Sequence, residues 1–239
     1  MHLVFAPDIH LSNYILSKEE SFHTIKVLRQ RIDDKLMLID GKGNFYTAVI
    51  VYNDPKACEV KILETHKDIQ RNFWLHIAIA PTKNMDRFEW FVEKAVEIGI
   101  DEITPIICSH SERKTMRLDR VEKIIVSGIK QSIKAYLPKL NEPVSFKELM
   151  KTDTKGQKFI AHCDEDGYKI NDSSNPLQSK YEKGKDALIL IGPEGDFSPE
   201  EIAMATKTGF EMVSLGTSRL RTETAGIVAC LTVNLQNGF

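Results

Sequence analysis

Short apolar runs alternate with amphipathic segments from Phe73 onward, and this alternation constrains the fold more than any other feature of the chain. The predicted strands cover residues 74–80, 102–108, 158–163, 186–191 and 212–215. The predicted helices cover residues 86–99 and 118–136, a segment from Ser198 to Gly209, and residues 225–235. Strands that alternate with helices form mostly parallel sheets covered by helices. The sequence therefore predicts an α/β domain of this kind.

Three details of this domain are also predicted. Ser198-Pro199-Glu200-Glu201 is a capping box with proline at the first helical position. Pro105 lacks a backbone donor, so its strand is expected to be irregular or at a sheet edge. Helical periodicity directs two sets of side chains inward, namely Phe88, Phe91, Ala95 and Ile98 in one helix, and Val121, Ile124, Ile125, Ile129 and Ile133 in the next.

The first 70 or so residues have a different pattern. Ser17-Lys18-Glu19-Glu20 is a capping box, and Phe22, Ile25 and Leu28 recur after it at helical spacing. Three strand-like runs follow, at residues 35–40, 45–52 and 57–63, separated by turns at 41–44 and 53–56. Short strands with tight turns predict a small β-barrel or a meander, and the polar stretch 64–72 is the predicted linker.

Composition places the chain among ordinary soluble globular proteins. Its 239 residues are 42% hydrophobic and 28% charged, which is enough for a proper core. No apolar stretch approaches the roughly 18 residues of a membrane helix, and the first residues do not form a signal peptide. We expect a cytoplasmic protein with no membrane partner.

The cysteines and histidines predict no metal site. Four cysteines are widely scattered without a Cys-x-x-Cys pair, so we expect reduced, mostly buried thiols. His162-Cys163-Asp164-Glu165 is the most suggestive cluster. Adjacent residues on a strand point to opposite faces, which favours a strand end leading into the Asp166-Gly167 turn.

Local charge is more informative than the net charge of −2. Residues 111–139 contain eight basic and three acidic side chains, a local net charge of +5. A solvated helix face explains this charge, and so does a surface that binds a phosphate backbone.

Two glycine-containing signatures follow predicted strands near the end of the chain. Leu190-Ile191-Gly192-Pro193-Glu194-Gly195-Asp196-Phe197 is the first, and Leu215-Gly216-Thr217-Ser218-Arg219-Leu220-Arg221-Thr222-Glu223-Thr224-Ala225 is the second. Two such loops at the ends of adjacent strands are expected to form a pocket for a nucleoside-like ligand, with Gly192 and Gly195 allowing close backbone approach. The first loop is neither a P-loop nor a Rossmann fingerprint, and taken singly it is typical of an ordinary strand-to-helix turn.

The second signature combines charged and small residues. Arg219, Arg221 and Glu223 alternate with apolar or hydroxyl side chains, and Thr222 is a candidate cap for the helix that follows. A structural Arg–Glu pair explains the charges but not the cluster of small residues, Ala225, Gly226 and Ala229.

Together these motifs closely resemble those of the RsmE family, SPOUT-superfamily methyltransferases that methylate N3 of one uridine in the decoding region of 16S rRNA. The resemblance extends over the whole chain. It includes His23-Thr24-Ile25-Lys26-Val27-Leu28-Arg29, Asp40-Gly41-Lys42-Gly43 and Lys94-Ala95-Val96-Glu97-Ile98-Gly99.

The resemblance implies a two-domain enzyme. Residues 1–70 would be a PUA-like β-barrel that helps to hold RNA, and residues 73–239 an α/β SPOUT methyltransferase domain with a C-terminal trefoil knot. The implied cofactor is S-adenosylmethionine, and the implied partners are 16S rRNA or the small ribosomal subunit and a second copy of the chain in a homodimer. The implied cofactor-binding residues are Leu190, Gly192, Pro193, Glu194, Gly195, Leu215, Gly216, Leu220, Thr222 and Ala225.

This chain departs from the family pattern at two positions. Ser218 stands where the family commonly has an arginine, which is displaced here to Arg219. Asp33 stands where a turn glycine is usual, and aspartate tolerates the same backbone geometry.

Methylation of uracil N3 requires an in-line methyl donor, loss of the N3 proton and stabilisation of the charge that grows on the uracil oxygens. Arg221 is the candidate for stabilising that charge. Glu223 is the candidate for orienting Arg221 or for acting as the base, although a glutamate paired with arginine would be a weak base. Candidate RNA-binding residues are Arg29, Arg113, Lys114 and Arg117.

Two alternatives remain open at this point. One is another knotted RNA methyltransferase, acting on a ribose 2′-OH or on tRNA. The other is a non-catalytic rRNA-binding or assembly protein.

Overall fold

The computed structural model describes residues 3–162 and 175–238, which fall into two compact units. The first unit contains the residues up to Gln70 together with Val126–Leu137. The second contains Arg71–Ile125 and the residues from Pro138 onward. The chain therefore leaves the second unit and enters the first within helix α3 (Leu118–Ser132).

The first unit contains a four-stranded sheet in the order β1-β2-β3-β4. Strand β1 pairs with β2 in parallel, and β2, β3 and β4 form an antiparallel meander. The elements of this unit before α3 are β1 (Leu3–Phe5), α1 (Lys18–Phe22), a π-helix (His23–Val27), β2 (Lys35–Ile39), β3 (Asn44–Tyr52) and β4 (Glu59–Lys67).

Period-two alternation builds the core of this sheet. Leu36 and Leu38 on β2 and Ala48 and Ile50 on β3 are buried, as expected for side chains that share one face. The start of β4 is also covered, because Val60 N donates to Tyr14 O and Leu16 N donates to Cys58 O, each at 2.9 Å. The predicted meander is present, and the chain before α1 partly closes it.

Two predictions for the first unit are corrected. Strand β4 extends to Lys67, so the stretch predicted as a linker from residue 64 is partly strand. Ser17 Oγ accepts from Glu20 N at 3.2 Å, but the Glu20 carboxylate does not complete the capping box. Its Oε1 instead accepts from Phe5 N at 3.3 Å and from Lys130 Nζ at 2.6 Å, because a cation and a strand-end donor lie within reach.

The predicted N-terminal helix also changes type. After α1 the backbone continues as a π-helix, in which Leu28 N donates to His23 O at 2.9 Å. Phe22, predicted to face inward, is 54% exposed. Ile25, in the π-helix, is partly buried and packs against the core, so the spacing of apolar residues identified only part of the buried face.

The turn at Asp33 has a left-handed backbone conformation. Asp33 has φ of 72°, in the left-handed region where glycine is usual and aspartate is tolerated. Its N–H donates to Ile50 O at 3.0 Å. The substitution of aspartate for glycine therefore keeps the turn.

The second unit contains a seven-stranded sheet in the order β11-β9-β10-β5-β6-β7, with β8 also paired to β6. All of its recorded pairings are parallel, which confirms the predicted parallel sheet. The remaining elements are β5 (Leu75–Ile79), α2 (Met85–Ile98), β6 (Glu102–Ile107), β7 (Lys139–Leu140), β8 (Val144–Ser145), α4 (Phe146–Leu149), β9 (Gln157–Ala161), α5 (Leu177–Lys180), β10 (Ala187–Ile191), α6 (Pro199–Lys207), β11 (Glu211–Val213) and α7 (Thr222–Asn237).

Several details of this unit match the sequence patterns. Helix α6 begins with both hydrogen bonds of the predicted Ser198/Glu201 capping box. Phe88, Phe91 and Ala95 are fully buried on α2, as predicted. The start of β6 pairs with β7, and the end of β6 pairs with β8. Pro105 lies between these two stretches, so its missing N–H interrupts no pairing with β7 or β8.

Helix α3 is shorter than predicted. It ends at Ser132, and Ile133 adopts a left-handed φ of 55° with 64% of its surface exposed. Ile133 therefore does not face inward, although Val121 and Ile129 do. The stretch predicted as a surface loop over 169–185 includes the short helix α5, and its first residues, 169–174, lie outside the described part.

No helix within the described ranges is long and apolar enough to span a bilayer.

Candidate active site

The two glycine-containing loops meet at the carboxyl edge of the second sheet. They follow β10 and β11, which were predicted to be adjacent, but β9 lies between them. Because all three strands are parallel, their carboxyl ends still converge at one edge. Ala161 and His162, at the end of β9, therefore also line the site.

A cavity of about 420 Å³ lies between these loops, which is within the size range of small-molecule sites. Its apolar walls include Ile191, Met212 and Leu220, and its charged walls include side chains of both signs. Most of the residues predicted to bind a cofactor line it, namely Gly192, Pro193, Glu194, Leu215, Gly216, Leu220, Thr222 and Ala225.

Two predicted residues are not part of this lining. Leu190 is fully buried in the hydrophobic core of the second unit. A Cβ placed on Gly195 would lie 3.0 Å from His110 Cβ, so this glycine packs against a side chain. A cofactor-binding role for either residue stays a prediction.

The two glycines of the first loop both pack against side chains. A Cβ on Gly192 would lie 3.1 Å from two ring atoms of Phe197 and 3.3 Å from Asp196 Oδ1. Gly216 of the second loop differs, because it has φ of 132° and no atom within 4 Å of an added Cβ. The backbone conformation at position 216 therefore favours glycine, and this residue lies beside open space.

Thr222 links the two loops. It was predicted to cap α7, but it is the first helical residue, and Arg221 at the N-cap makes no side-chain cap hydrogen bond. Thr222 Oγ1 instead donates to Gly192 O at 3.0 Å in a buried position. This bond ties the start of α7 to the end of β10 and fixes the width of the cavity there.

The small residues at the start of α7 have two different roles. Ala225 lines the cavity. A Cβ on Gly226 would lie 2.6 Å from Phe91 Cε2 and 2.9 Å from Ile79 Cδ1, so Gly226 allows α7 to pack closely on α2 and β5. Ala229 is fully buried in the same region of the helix. Helix packing therefore accounts for most of this cluster.

Arg219 and Arg221 are the exposed cations of the site. Both line the cavity, and neither has an ion-pair partner among residues 3–162 and 175–238. The arginine displaced by one position relative to the family pattern, Arg219, thus lies at the same site as Arg221. Two guanidinium groups that pair with no described carboxylate are available to an anionic or electron-rich ligand.

Glu223 is buried and faces a second depression beside the cavity. Its side chain is 8% exposed, and its Oε1 lies 3.8 Å from Arg87 Nε on α2. The predicted Arg–Glu pair therefore exists, but the arginine comes from α2 and not from the second signature. Arg87 was not singled out from the sequence, because nothing in its local pattern relates it to a residue so distant in the chain.

Of the four predicted RNA-binding residues, Arg29, Lys114 and Arg117 are exposed and Arg113 is partly buried. Arg29 is in the first unit and has a left-handed φ of 57°. In the second unit, Arg113 donates to Lys83 O at 2.9 Å, Arg117 pairs with Asp119 at 2.7 Å, and Lys114 lies between them in the chain.

Ion pairs neutralise much of the basic stretch from residue 111 to 139. Arg120 pairs with Glu89 at 2.6 Å, Lys130 with Glu20 at 2.6 Å, and Lys139 with Glu102 at 2.9 Å. The interpretation of the whole stretch as a phosphate-binding surface is thus weakened, because several of its cations already have carboxylate partners.

Sequence reasoning missed several residues of the cavity wall. Asn175 reaches it because Ser214 N donates to Asn175 O and Leu177 N donates to Ser214 O, which fixes this segment beside β11. Asp196 and Ser218 lie within the two signatures and also line the cavity. Their position between motif residues was the only available signal.

The described cysteines, Cys58, Cys108 and Cys230, are buried, as predicted. Burial raises the pKa of the Cys108 thiol well above its usual range, and burial raises the pKa of Cys58 to about 11. These thiols are protonated at neutral pH and are poor nucleophiles. Cys163, Asp164 and Glu165 of the suggestive cluster lie outside the described residues. In the described ranges no group of three metal-binding side chains occurs.

Comparisons with known proteins converge on one family. Residues 70–234 match the RNA methyltransferase domain, and residues 16–63 match the RNA methyltransferase PUA domain. Ribosomal RNA small subunit methyltransferase E of Mesomycoplasma hyopneumoniae is 30% identical over 220 residues, which cover 90% of this chain and 91% of that protein.

Two solved structures are similar over nearly the whole chain. A probable rRNA-methyltransferase from Porphyromonas gingivalis has 41% identity and a TM-score of 0.90, with 99% of this chain and 98% of that chain covered. Ribosomal RNA small subunit methyltransferase E from Neisseria gonorrhoeae, bound to S-adenosyl methionine, has 26% identity and a TM-score of 0.80, with 96% and 95% covered.

Proposed function

The chain belongs to the RsmE family of ribosomal RNA small subunit methyltransferases, and from this premise we propose that it transfers a methyl group from S-adenosylmethionine to N3 of one uridine in the decoding region of 16S rRNA. Methylation of rRNA with this cofactor follows from the family. The single observation that carries the finer proposal is the cavity between the two loops, with Arg219 and Arg221 exposed in its lining.

The residues of the cavity fit S-adenosylmethionine. Apolar side chains such as Ile191 and Leu220 suit its heteroaromatic ring, and charged groups of both signs suit its zwitterionic amino acid part. Open space beside Gly216 leaves room next to the backbone. When bound, the cofactor supplies an electrophilic methyl group on a sulfonium sulfur.

The chain contributes positioning and electrostatics to the transfer. The bound cofactor would supply the methyl group for uracil N3, and the chain's own residues would position the base, accept the N3 proton and stabilise the charge that grows. Arg221 lies at the cavity, and we assign it the stabilisation of the negative charge that grows on the uracil oxygens. Thr222 keeps Arg221 in place through its bond to Gly192 O.

We assign Glu223 the acceptance of the N3 proton, directly or through one water. It is next but one to Arg221 in the chain and lines the same depression. Its side chain is 8% exposed and lies 3.8 Å from Arg87 Nε, so the carboxylate is held beside the depression that Arg221 also lines.

Four finer features implied by the family are also proposals. The first is the division into a PUA-like RNA-binding domain (residues 1–70) and a SPOUT methyltransferase domain (residues 73–239). The ranges matched by the two family models and the division into two units after Gln70 support a boundary there. A C-terminal trefoil knot rests on the family resemblance. A homodimer rests on the family resemblance alone. An enzyme that acts on bacterial ribosomal RNA works in the cytoplasm, where ribosomes are.

Mass spectrometry of nucleosides tests the proposal. Purified protein is incubated with S-adenosylmethionine and small ribosomal subunits, and the digested 16S rRNA is analysed. We expect one N3-methyluridine per RNA, at a position that primer extension maps because the modified base no longer pairs. A 2′-O-methyl product would assign another RNA methyltransferase activity. Absence of cofactor binding in calorimetry would instead favour an assembly role.

A further inference from the structure

A shallow groove lies on the other side of the loop segment that bounds the cofactor cavity. It has a volume of about 710 Å³, and its principal wall residues are Arg87, Trp90, Arg219, Leu220, Arg221 and Glu223. Arg219, Leu220 and Arg221 also line the cofactor cavity. The two spaces therefore share a wall made of three side chains, with Arg221 accessible to both.

The charges of the groove favour an electron-rich ligand near the shared wall. Glu223 is balanced by Arg87, at 3.8 Å, and Asp86 lies 3.8 Å from Arg120. Arg219 and Arg221 have no carboxylate partner in the described part of the chain. The cations that remain uncompensated thus lie on the side of the groove nearest the cofactor cavity.

Trp90 supplies a flat aromatic surface in this groove. It is 47% exposed, whereas its neighbours Phe91 and Val92 are fully buried in the core. Helix α2 thus anchors itself through those neighbours and leaves the indole accessible. Aromatic side chains on which a base stacks contribute about 1–3 kcal/mol per base to binding of unpaired nucleic acid.

We propose that this groove binds the acceptor nucleobase of the RNA, with Trp90 stacking on the base and Arg221 reaching it from the shared wall. This inference rests on the proposed function, because it takes the neighbouring cavity as the cofactor site. A base stacked on Trp90 lies beside the three side chains that separate it from the methyl donor. An unpaired base is needed, because a base inside a duplex cannot reach such a surface.

Steady-state kinetics of Trp90 variants test the proposal in the full-length protein. We expect Trp90→Ala to raise KM for the small subunit by about 10-fold or more, as the loss of one stacked base predicts. Affinity for S-adenosylmethionine in calorimetry should stay within about 2-fold of the wild type. Trp90→Phe, which keeps a stacking ring, should recover most of the lost affinity for RNA.

Fluorescence gives a second and independent measurement. The chain has two tryptophans, so Trp74→Phe leaves Trp90 as the sole indole, and Trp90→Phe leaves Trp74. Trp74 is a matched control, since it is 40% exposed and its Nε1 donates to Glu102. A uridine-containing single-stranded oligonucleotide should quench the fluorescence of Trp90 in the first variant and leave Trp74 unchanged in the second.

The outcomes separate this inference from the proposed function. Turnover by the wild type tests the proposed function. The ratio of the KM values of Trp90→Ala and the wild type, together with the quenching of Trp90 fluorescence, tests the groove. A wild-type KM in Trp90→Ala, or no quenching of Trp90, would overturn the inference even if the enzyme is active. A change from dimer to monomer in Trp90→Ala on sedimentation would also overturn it, because the groove would then be a contact between copies of the chain.

Discussion

The loop after β10 and the loop after β11 both contain glycine and follow parallel strands, but they differ in how their polar groups are paired. In the first loop, Glu194 Oε1 accepts from Lys83 N at 2.9 Å, and the carbonyl oxygens of Gly195 and Asp196 lie 2.9 and 3.0 Å from His110 Nδ1. In the second loop, Arg219 and Arg221 are exposed and make no ion pair with other described residues. The hydrogen bonds of the first loop fix the shape of the cavity wall, whereas the two exposed guanidinium groups of the second loop are available to a ligand.

The largest expected effect of this difference is on Arg221. Arg221→Ala should lower kcat by about 10²–10³-fold, because it removes a preorganised charge from the place where negative charge develops. Labelled-methyl transfer to small subunits measures the loss. Thermal unfolding serves as the control and should be unchanged, since Arg221 is exposed and caps no helix donor through its side chain. Near-normal turnover by this variant would show that the free cations of the second loop do no chemistry.

Gly192→Ala should act on stability. The added methyl group lies about 3.1 Å from the Phe197 ring, so we expect a loss of about 1–3 kcal/mol in the free energy of unfolding. Denaturant titration measures it. Because the cause is contact with Phe197, the double variant with Phe197→Leu should lose at least about 0.5 kcal/mol less than the sum of the single variants. Strict additivity would mean that Gly192 is required for another reason.

Thr222→Val tests the bond that joins the two loops. Removal of the buried donor leaves Gly192 O unpaired, which should cost about 1–2 kcal/mol of stability and weaken cofactor binding measured by calorimetry. Thr222→Ser keeps the hydroxyl and should retain most of both. If valine and serine variants bind the cofactor equally well, the bond does not shape the cavity.

The smallest effect is expected at Glu194. Its carboxylate accepts a hydrogen bond from a backbone donor, and glutamine at this position can accept the same bond. Glu194→Gln should therefore change unfolding free energy by less than about 0.5 kcal/mol, and cofactor affinity by less than about 2-fold. A loss of 10-fold or more in affinity would show that the first loop also supplies charge to the ligand.

Patterns that depend on neighbouring residues predicted the structure well. The parallel sheet followed from strand–helix alternation, and the start of α6 followed from Ser198 and Glu201, whose bonds are local. The position of the cavity followed from two loops that both come after strands. Each of these features is decided within a few residues of the chain.

Features that depend on distant partners were not predictable from one sequence. Glu20 completes no capping box because Lys130, more than a hundred residues away, competes for its carboxylate. Thr222 bonds to Gly192 O and not to its own helix, and Glu223 pairs with Arg87. Strand β9 enters between β10 and β11 because sheet order is set by tertiary packing and not by the order of the chain.

Gly226 and Phe91 are expected to change together, both in evolution and in design, because they are in direct contact. The ring leaves no room for even a methyl group on the facing helix, so each residue sets which amino acids the other can be. We expect selection from a library that varies residue 226 alone to return glycine. A library that varies both positions should also return pairs with alanine at 226 and a smaller side chain at 91. Such pairs would show that a larger side chain on α7 can be compensated by a smaller one on α2 at this contact, with the reaction unchanged.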